Sequence, residues 1–250
     1  MNETPRPAPE FAESPARDAR FRVAEFWADC VNLPKGHPER EVEFFHRQMN
    51  EEVNGMECAA RALSDFPDAD WSLRMSIARQ CYDEARHVQM FRQALESRGG
   101  SVGQSPVLNF QYRIITRIDD VSGRLAVQNR SFEVEGVDAI EPEIAAAHER
   151  GDLAMAHRYD AQLADEIGHV RFANEHLKQV TASDPAAVMR VGRALNYAFE
   201  AFAHVMGRHA MDSVSYGVNE QGRREAGFRE DEIEQASALR AARRARAQAR

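Results

Sequence analysis

An all-α fold is expected from three features of this 250-residue chain. Its prolines are crowded toward the front, with eight of the ten before residue 107. The remainder is rich in Ala, Arg, Glu, Leu and Met, residues that lose little on entering a helix. Apolar residues recur at three- and four-residue intervals over long windows, and no strand-type alternation of useful length appears.

Taken in order, residues 1–20 hold four prolines and little apolar content, and read as a disordered lead-in. A short helix is expected around Phe21–Val31, packing through Phe21, Val23, Phe26 and Trp27, before a loop over residues 32–38. The first long helix spans about Glu39–Asp65 and stops at Phe66-Pro67-Asp68. The second spans about Asp70–Arg98, with Gly99-Gly100 as its stop. After a Gly/Ser/Pro loop over 99–109, a third helix runs from about Tyr112 to Ile140, followed by a short one from Pro142 to Arg150. The fourth long helix, about Asp152–Ala182, takes Asp152 as its N-cap. A fifth begins with Pro185 at its first position and runs to about Asp212. The segment Tyr216–Arg229 reads as irregular, and residues 230–250 as a basic helical tail, solvated or frayed. The natural assembly is a four-helix bundle within a domain at 21–229, with additional N- and C-terminal helices and one longer link between its two hairpins.

Charge and cysteine usage narrow the function. A net charge of −8 makes general nucleic-acid binding unlikely. Three cysteines without a C-x-x-C spacing fit a reducing compartment. No apolar run approaches membrane-spanning length, and the N-terminus lacks the apolar core of a secretory signal, so a cytoplasmic protein is expected.

One string occurs twice. Asp83-Glu84-Ala85-Arg86-His87 lies on the second long helix and Asp165-Glu166-Ile167-Gly168-His169 on the fourth, both reading D-E-x-x-H. Two copies are expected by chance on the order of once in a thousand chains of this composition. Glu and His three residues apart lie one above the other on a helix, so both can reach one metal ion. Ile77, Cys81, Val88 and Phe91 surround Glu84, and Tyr159, Leu163, Val170 and Ala173 surround Glu166, so both pairs are predicted to face the core. Buried carboxylates need a compensating cation, and a pair of divalent ions meets that need. Asp83 and Asp165 are placed to hold the far nitrogen of a histidine on the opposite helix, with Arg86 neutralising one of them.

Two further carboxylates are expected from the other helices. On the first helix the candidates are Glu51, Glu52 and Glu57, and the apolar neighbours of Glu57 (Met56, Cys58, Ala59, Ala60, Leu63) favour it. On the third they are Glu133 and Glu135, and the face shared with Ala126, Val137 and Ile140 favours Glu133. The predicted set is Glu57, Glu84, His87, Glu133, Glu166 and His169, suited to two iron ions or to manganese. The four glutamates are also the candidate catalytic groups. Tyr159 and Cys81 lie close to the set on the same faces and read first as core residues.

A single Glu followed by D-E-x-R-H across a helical hairpin resembles the ferritin-like di-iron carboxylate superfamily. Phe66-Pro67-Asp68, Glu133-x-x-Gly136-x-Asp138, Asp165-Glu166-Ile167-Gly168-His169-Val170 and Arg223-Arg224-Glu225-Ala226-Gly227-Phe228 resemble, more narrowly, a bacterial ferritin-like family labelled as a domain of unknown function. The resemblance covers roughly residues 45–235. The chain departs from that family in carrying Asn50 and Asn54-Gly55 where the family has a His and Gln-Ala. A more distant likeness is to the tRNA isopentenyl-adenosine hydroxylases.

The resemblance implies a ferritin-like bundle and a non-haem di-iron oxygenase or oxidase. Such an enzyme uses O2 to hydroxylate or otherwise oxidise a small organic substrate, with an external electron donor and a homodimer as further expectations. The alternatives are ferritin-type iron oxidation and storage, or a helical interaction protein with a vestigial metal site.

Overall fold

The computed structural model describes residues 20–34, 36–211 and 216–248. The expected lead-in, apart from its last residue, lies outside the described residues, as do residue 212 and the last two residues of the tail. The described chain is mostly helical. The long helices are α1 (Arg40–Asp65), α2 (Trp71–Ser97), α5 (Val134–Glu149), α6 (Leu153–Ser183), α7 (Pro185–Met211) and α9 (Glu230–Gln248). Short helices α3 (Phe110–Ile115), α4 (Val121–Val127) and α8 (Glu220–Glu225) complete them.

Several boundaries differ from the sequence reading. In place of a helix at 21–31 there is a strand, β1 (Arg22–Ala24), and a turn of 3-10 helix at Trp27–Asp29. β1 pairs in parallel with β2 (Pro106–Leu108), inside the segment expected to be loop. Strands of three residues are too short to show an alternation. The third helix is divided: α3 and α4 are separate, and Gln128–Glu133 winds as a π-helix leading from α4 into α5. α5 passes through Pro142 without ending there. Residues 216–229, expected to be irregular, contain α8. Asp152 caps α6 as expected, accepting from the Met155 N–H at 3.0 Å. α7 bends at Gly207, whose φ of 68° lies outside the helical region.

Packing follows from the apolar stripes. On α2 the buried positions include 73, 77, 80, 84, 87, 91 and 94, a four–three repeat that keeps one face inward, with Asp83 and Leu95 beside it. α1 lies along α2, and α5 along α6. α7 covers α3 and α4 through Ala194, Ala198, Ala201 and Val205. One apolar cluster gathers Phe45, Met49, Phe91, Leu95, Ile140 and Tyr159. A second gathers Ala59, Ala62, Leu73, Ile77, Leu125 and Ala173. Along α1, α2 and α6 the polar centre lies between these two clusters.

The C-terminal helix is not a frayed tail. Ile233 is buried, and so is Arg240, whose Nη2 donates to Asp138 at 2.9 Å and to both Glu135 oxygens at 3.1 Å. Arg223 donates to Asp138 through Nε (3.0 Å) and Nη2 (2.6 Å), and Tyr216 donates to Glu135 at 3.0 Å. Composition alone hid this, because an Arg/Ala helix looks solvated unless its acidic partners are known. Truncation after Leu239 removes one cation from a buried ionic network while Arg223 stays. Chemical denaturation should then show a loss of about 2–4 kcal/mol. An unchanged denaturation midpoint would mean that Arg240 contributes nothing net.

Candidate metal centre

The polar positions in the middle of the apolar stripes define the centre. On α2 these are Gln80, Glu84 and His87, and on α6 Gln162, Glu166 and His169, all buried. α1 contributes Glu52 and the π-helical segment contributes Glu133. The ligand-type atoms fall into two groups, Glu52/Glu84/His87/Glu166 and Glu84/Glu133/Glu166/His169, each with its atoms within 4.8 Å of one another. Each group offers three carboxylates and one imidazole, and Glu84 and Glu166 belong to both. Each group has the mixed carboxylate–imidazole donors that could hold a metal ion.

The imidazoles are oriented from behind. His87 Nε2 lies 3.2 Å from Asp165 Oδ2, which turns Nδ1 toward Glu52 (3.2 Å) and Glu84 (3.3 Å). His169 mirrors it: Nε2 is 3.5 Å from Asp83, and Nδ1 is 3.4 Å from both Glu84 and Glu166. Arg86 spans the two aspartates, at 2.7 Å from Asp83 and 2.6 Å from Asp165, and Arg79 adds a second cation to Asp83. The carboxylates are held by amides. Gln80 Nε2 donates to Glu84 (3.3 Å) and Glu133 (3.1 Å), and Gln162 Nε2 donates to Glu52 (2.9 Å).

One glycine allows a close approach: a Cβ at Gly55 would sit 3.0 Å from Glu84 Cδ, whereas one at Gly136 would make only ordinary contact with Glu166 Cδ at 3.7 Å. Gly55 weakens α1 as a helix but leaves room for the Glu84 carboxyl.

The electrostatics fit a cation. Burial, with Glu84 and Glu166 nearby, pushes Glu52 up to about 8 despite His87, and burial with the same neighbours raises Glu133 well above its ordinary value. Against the effect of burial, His169 and His87 bring Glu166 down to about 2. His169 rises to about 10 because Asp83 and the glutamates outweigh its burial, and His87 rises because Asp165, Glu52 and Glu84 outweigh its own. Asp83 is held below the usual carboxylate range by His169, Arg79 and Arg86, although burial opposes this. Glu166 Oε2 and His169 Nδ1 are buried and make no hydrogen bond. Glu166 Oε2 offers a lone pair to a metal ion, and His169 Nδ1 offers one once its proton is displaced, so these residues fit the group that the donor set implies.

The structure brings together Glu84, His87, Glu133, Glu166 and His169. It does not bring Glu57 to them: the carboxylate from α1 is Glu52. Glu57 lies five residues further on, about 140° around the helix, and is half-buried while Glu52 is fully buried. Of its apolar neighbours in sequence, Cys58 and Ala59 face inward without carrying Glu57 with them. Glu135, the alternative on α5, belongs to the Tyr216 and Arg240 network. Asn50 and Asn54 both donate to the Leu108 carbonyl and tie α1 to β2. Tyr159 packs against Phe91 with its hydroxyl buried and unpartnered, and Cys81 approaches the Met56 carbonyl at 3.7 Å.

The sequence reading also missed the amides, although a signal was present. Each D-E-x-x-H string has Gln one turn earlier, so both read Q-x-x-D-E-x-x-H. Likewise Glu52-Val53-Asn54-Gly55 and Glu133-Val134-Glu135-Gly136 share E-x-x-G, a match that singles out Glu52 over Glu57.

Fold and site together define a mostly helical protein with a buried carboxylate–histidine centre that can hold metal. The chain belongs to the family described as "Protein of unknown function (DUF455)", whose model matches residues 2–234. No curated protein and no solved structure matches it.

Two outcomes test the centre. Glu52→Gln should weaken divalent-metal binding by at least about tenfold, while Glu57→Gln leaves it within about threefold of wild type. Titration against a competing chelator reads both, and the reverse order would return the α1 role to Glu57. The second outcome concerns pH. Groups whose pKa is raised keep their protons below that pKa, and a cation must displace them. Affinity should therefore rise from pH 6 to 8, by about tenfold or more per pH unit, as Glu52 approaches its value of about 8. A flat profile would mean that the raised groups are not displaced.

Proposed function

We propose that this chain is a ferritin-like di-metal oxidoreductase that uses O2 to hydroxylate or otherwise oxidise a small organic substrate. The observation that carries the reading is the pair of donor groups sharing Glu84 and Glu166. Two dications match four carboxylates in charge, and mixed carboxylate–imidazole donors suit iron or manganese. The bundle arrangement of such proteins, a Glu from each of two helices and Glu-x-x-His from each of the other two, has the same distribution. When bound, the metal pair supplies electrons to O2 and oxidising power toward the substrate.

The chain's own residues bind, orient and exclude water. Glu52 and His87 would hold one ion and Glu133 and His169 the other, with Glu84 and Glu166 available to either. Asp83 and Asp165 lie behind each imidazole and leave its Nδ1 facing the glutamates. Gln80 and Gln162 hold the outer carboxylates in place by hydrogen bonds. The apolar cluster around Phe45 and Phe91 keeps water out on one side of the centre. Insertion of one oxygen atom into a C–H bond leaves two electrons and two protons to be delivered to O2, so an external electron donor belongs to the reaction.

Metal analysis of the purified chain should give about two iron or manganese ions per chain. Ferrous-loaded protein should then consume O2 in an amount set by the bound metal. Retention of fewer than one ion per chain, or O2 uptake no faster than free ferrous ion, would refute the reading. Iron uptake far beyond two ions, in a large shell by gel filtration, would replace it with storage.

A further inference from the structure

α7 carries two apolar faces, and the chain covers only one of them. Ala187, Ala194, Ala198, Ala201 and Val205 form the inner face and are buried. On the outer side Val188 is 53% exposed, Met189 64%, Leu195 37% and Phe199 59%. Nine large apolar side chains are exposed among the described residues, and these four share one helix. Val188, Gly192, Leu195 and Phe199 follow one another at intervals of four, three and four residues, so they form a continuous outer stripe. Single apolar side chains at a surface are ordinary, whereas a stripe of them marks a contact surface.

Gly192 stands in the middle of that stripe. Glycine weakens a helix interior. A Cβ there would meet nothing within 4 Å, so no contact inside the chain calls for its absence. Val188, Met189, Leu195 and Asn196, three and four residues away on either side, surround the position and leave a shallow hollow over Gly192. Phe199, two turns further along the same face, is a protrusion of matching kind.

The charges beside the stripe point the same way. Arg193 and Glu200 lie seven residues apart on one flank. Both are exposed, and neither enters an ion pair among the described residues. Arg190, one turn earlier, is by contrast held by Asp120 and Asp184, each at 2.9 Å. Asn196 Nδ2 donates to Glu200 Oε1 at 3.0 Å and keeps that carboxylate on the flank.

A two-fold axis across α7 near Leu195 and Asn196 would match all of these features at once. Antiparallel helices bring the same flank of each together, so Arg193 of one copy comes beside Glu200 of the other, twice. The same operation sets Phe199 of each copy over Gly192 of the other. Parallel helices would set this flank against the opposite one and leave both charges unmatched. The face is therefore complementary to itself in charge and in shape, as a two-fold contact requires, and this makes a second copy its occupant.

We infer that two copies of this chain pair antiparallel through the outer face of α7, with Phe199 of each seated over Gly192 of the other and Arg193 beside Glu200. α7 supplies none of the grouped metal donors, so the pairing does not rest on the oxidoreductase reading.

The test is sedimentation velocity of the full chain over a range of concentrations, with metal content and thermal melting measured on the same samples. Wild type should pass from monomer to dimer, with a dissociation constant on the order of micromolar or below. Phe199→Ser removes the protrusion and Gly192→Leu fills the hollow. Each should weaken the dimer by about tenfold or more, with metal content unchanged. Arg193→Glu and Glu200→Arg should each weaken it by about tenfold, because like charges then meet at both contacts. An equimolar mixture of those two variants should dimerise again, since opposite charges return to both contacts, and so should a chain carrying both changes. A wild type that stays monomeric throughout would overturn the inference. A dimer that survives both Phe199→Ser and Gly192→Leu would place the contact on another face and overturn it equally. Failure of the mixed variants to pair would exclude the antiparallel arrangement, and the inference with it.

Discussion

Four glutamates and two histidines converge in one protein core, and charge compensation there constrains everything around them. An uncompensated buried carboxylate costs several kcal/mol, so each of these side chains requires a partner in place. The aspartate behind each histidine, the arginines behind the aspartates and the glutamines on the outer carboxylates are consequences of that requirement. Protons serve where cations do not, which is why burial raises Glu52 and Glu133 while their histidine neighbours lower Glu166. A cation that enters takes over the compensation and releases those protons. Metal binding and protonation are therefore alternative ways of stabilising the same core.

The supporting residues repeat with the ligands. Q-x-x-D-E-x-x-H occurs on α2 and α6, and E-x-x-G on α1 and at the junction into α5. In space, the aspartate of each long motif meets the histidine of the other, and each glutamine reaches an E-x-x-G glutamate. Each short-motif glycine faces the long-motif glutamate on a neighbouring helix. The centre thus has an internal two-fold pattern in which one helical pair completes the other. The close approach at Gly55 shows why a residue unfavourable in a helix interior stands in the middle of α1.

How much of this was legible depends on the scale of the signal. The long helices were readable because their apolar stripes extend over many turns and their ends carry Pro, Gly and Asp. The α2 and α6 ligands were readable because a repeated string fixes both identity and face. Glu57 was the wrong choice on α1 because sequence neighbours report local composition, whereas burial depends on the angle around the helix. The strands were invisible at three residues each, since their pairing depends on a partner about eighty residues away. The buried role of Arg240 was invisible for a related reason: Glu135 and Asp138 lie more than a hundred residues earlier.

The π-helical segment shows what a helical reading of this chain could not provide. An expectation built on 3.6 residues per turn carries one face smoothly from Ala126 to Ile140 and finds Glu133 on it. The chain reaches the same glutamate after an irregular winding, with Gln128 and Asn129 buried in that segment. That winding is also where the two-fold pattern breaks. α1 presents Glu52 from a regular helix, while Glu133 follows a π-helical segment whose amide residues Gln128 and Asn129 are buried. The two donor groups therefore have different surroundings: Gln162 donates to Glu52, whereas Gln80 donates to Glu133 and to the shared Glu84 and accepts from Asn129 of the π-helical segment. The repeated motifs account for the paired donor groups, and the departure from repetition lies on the Glu133 side of the centre.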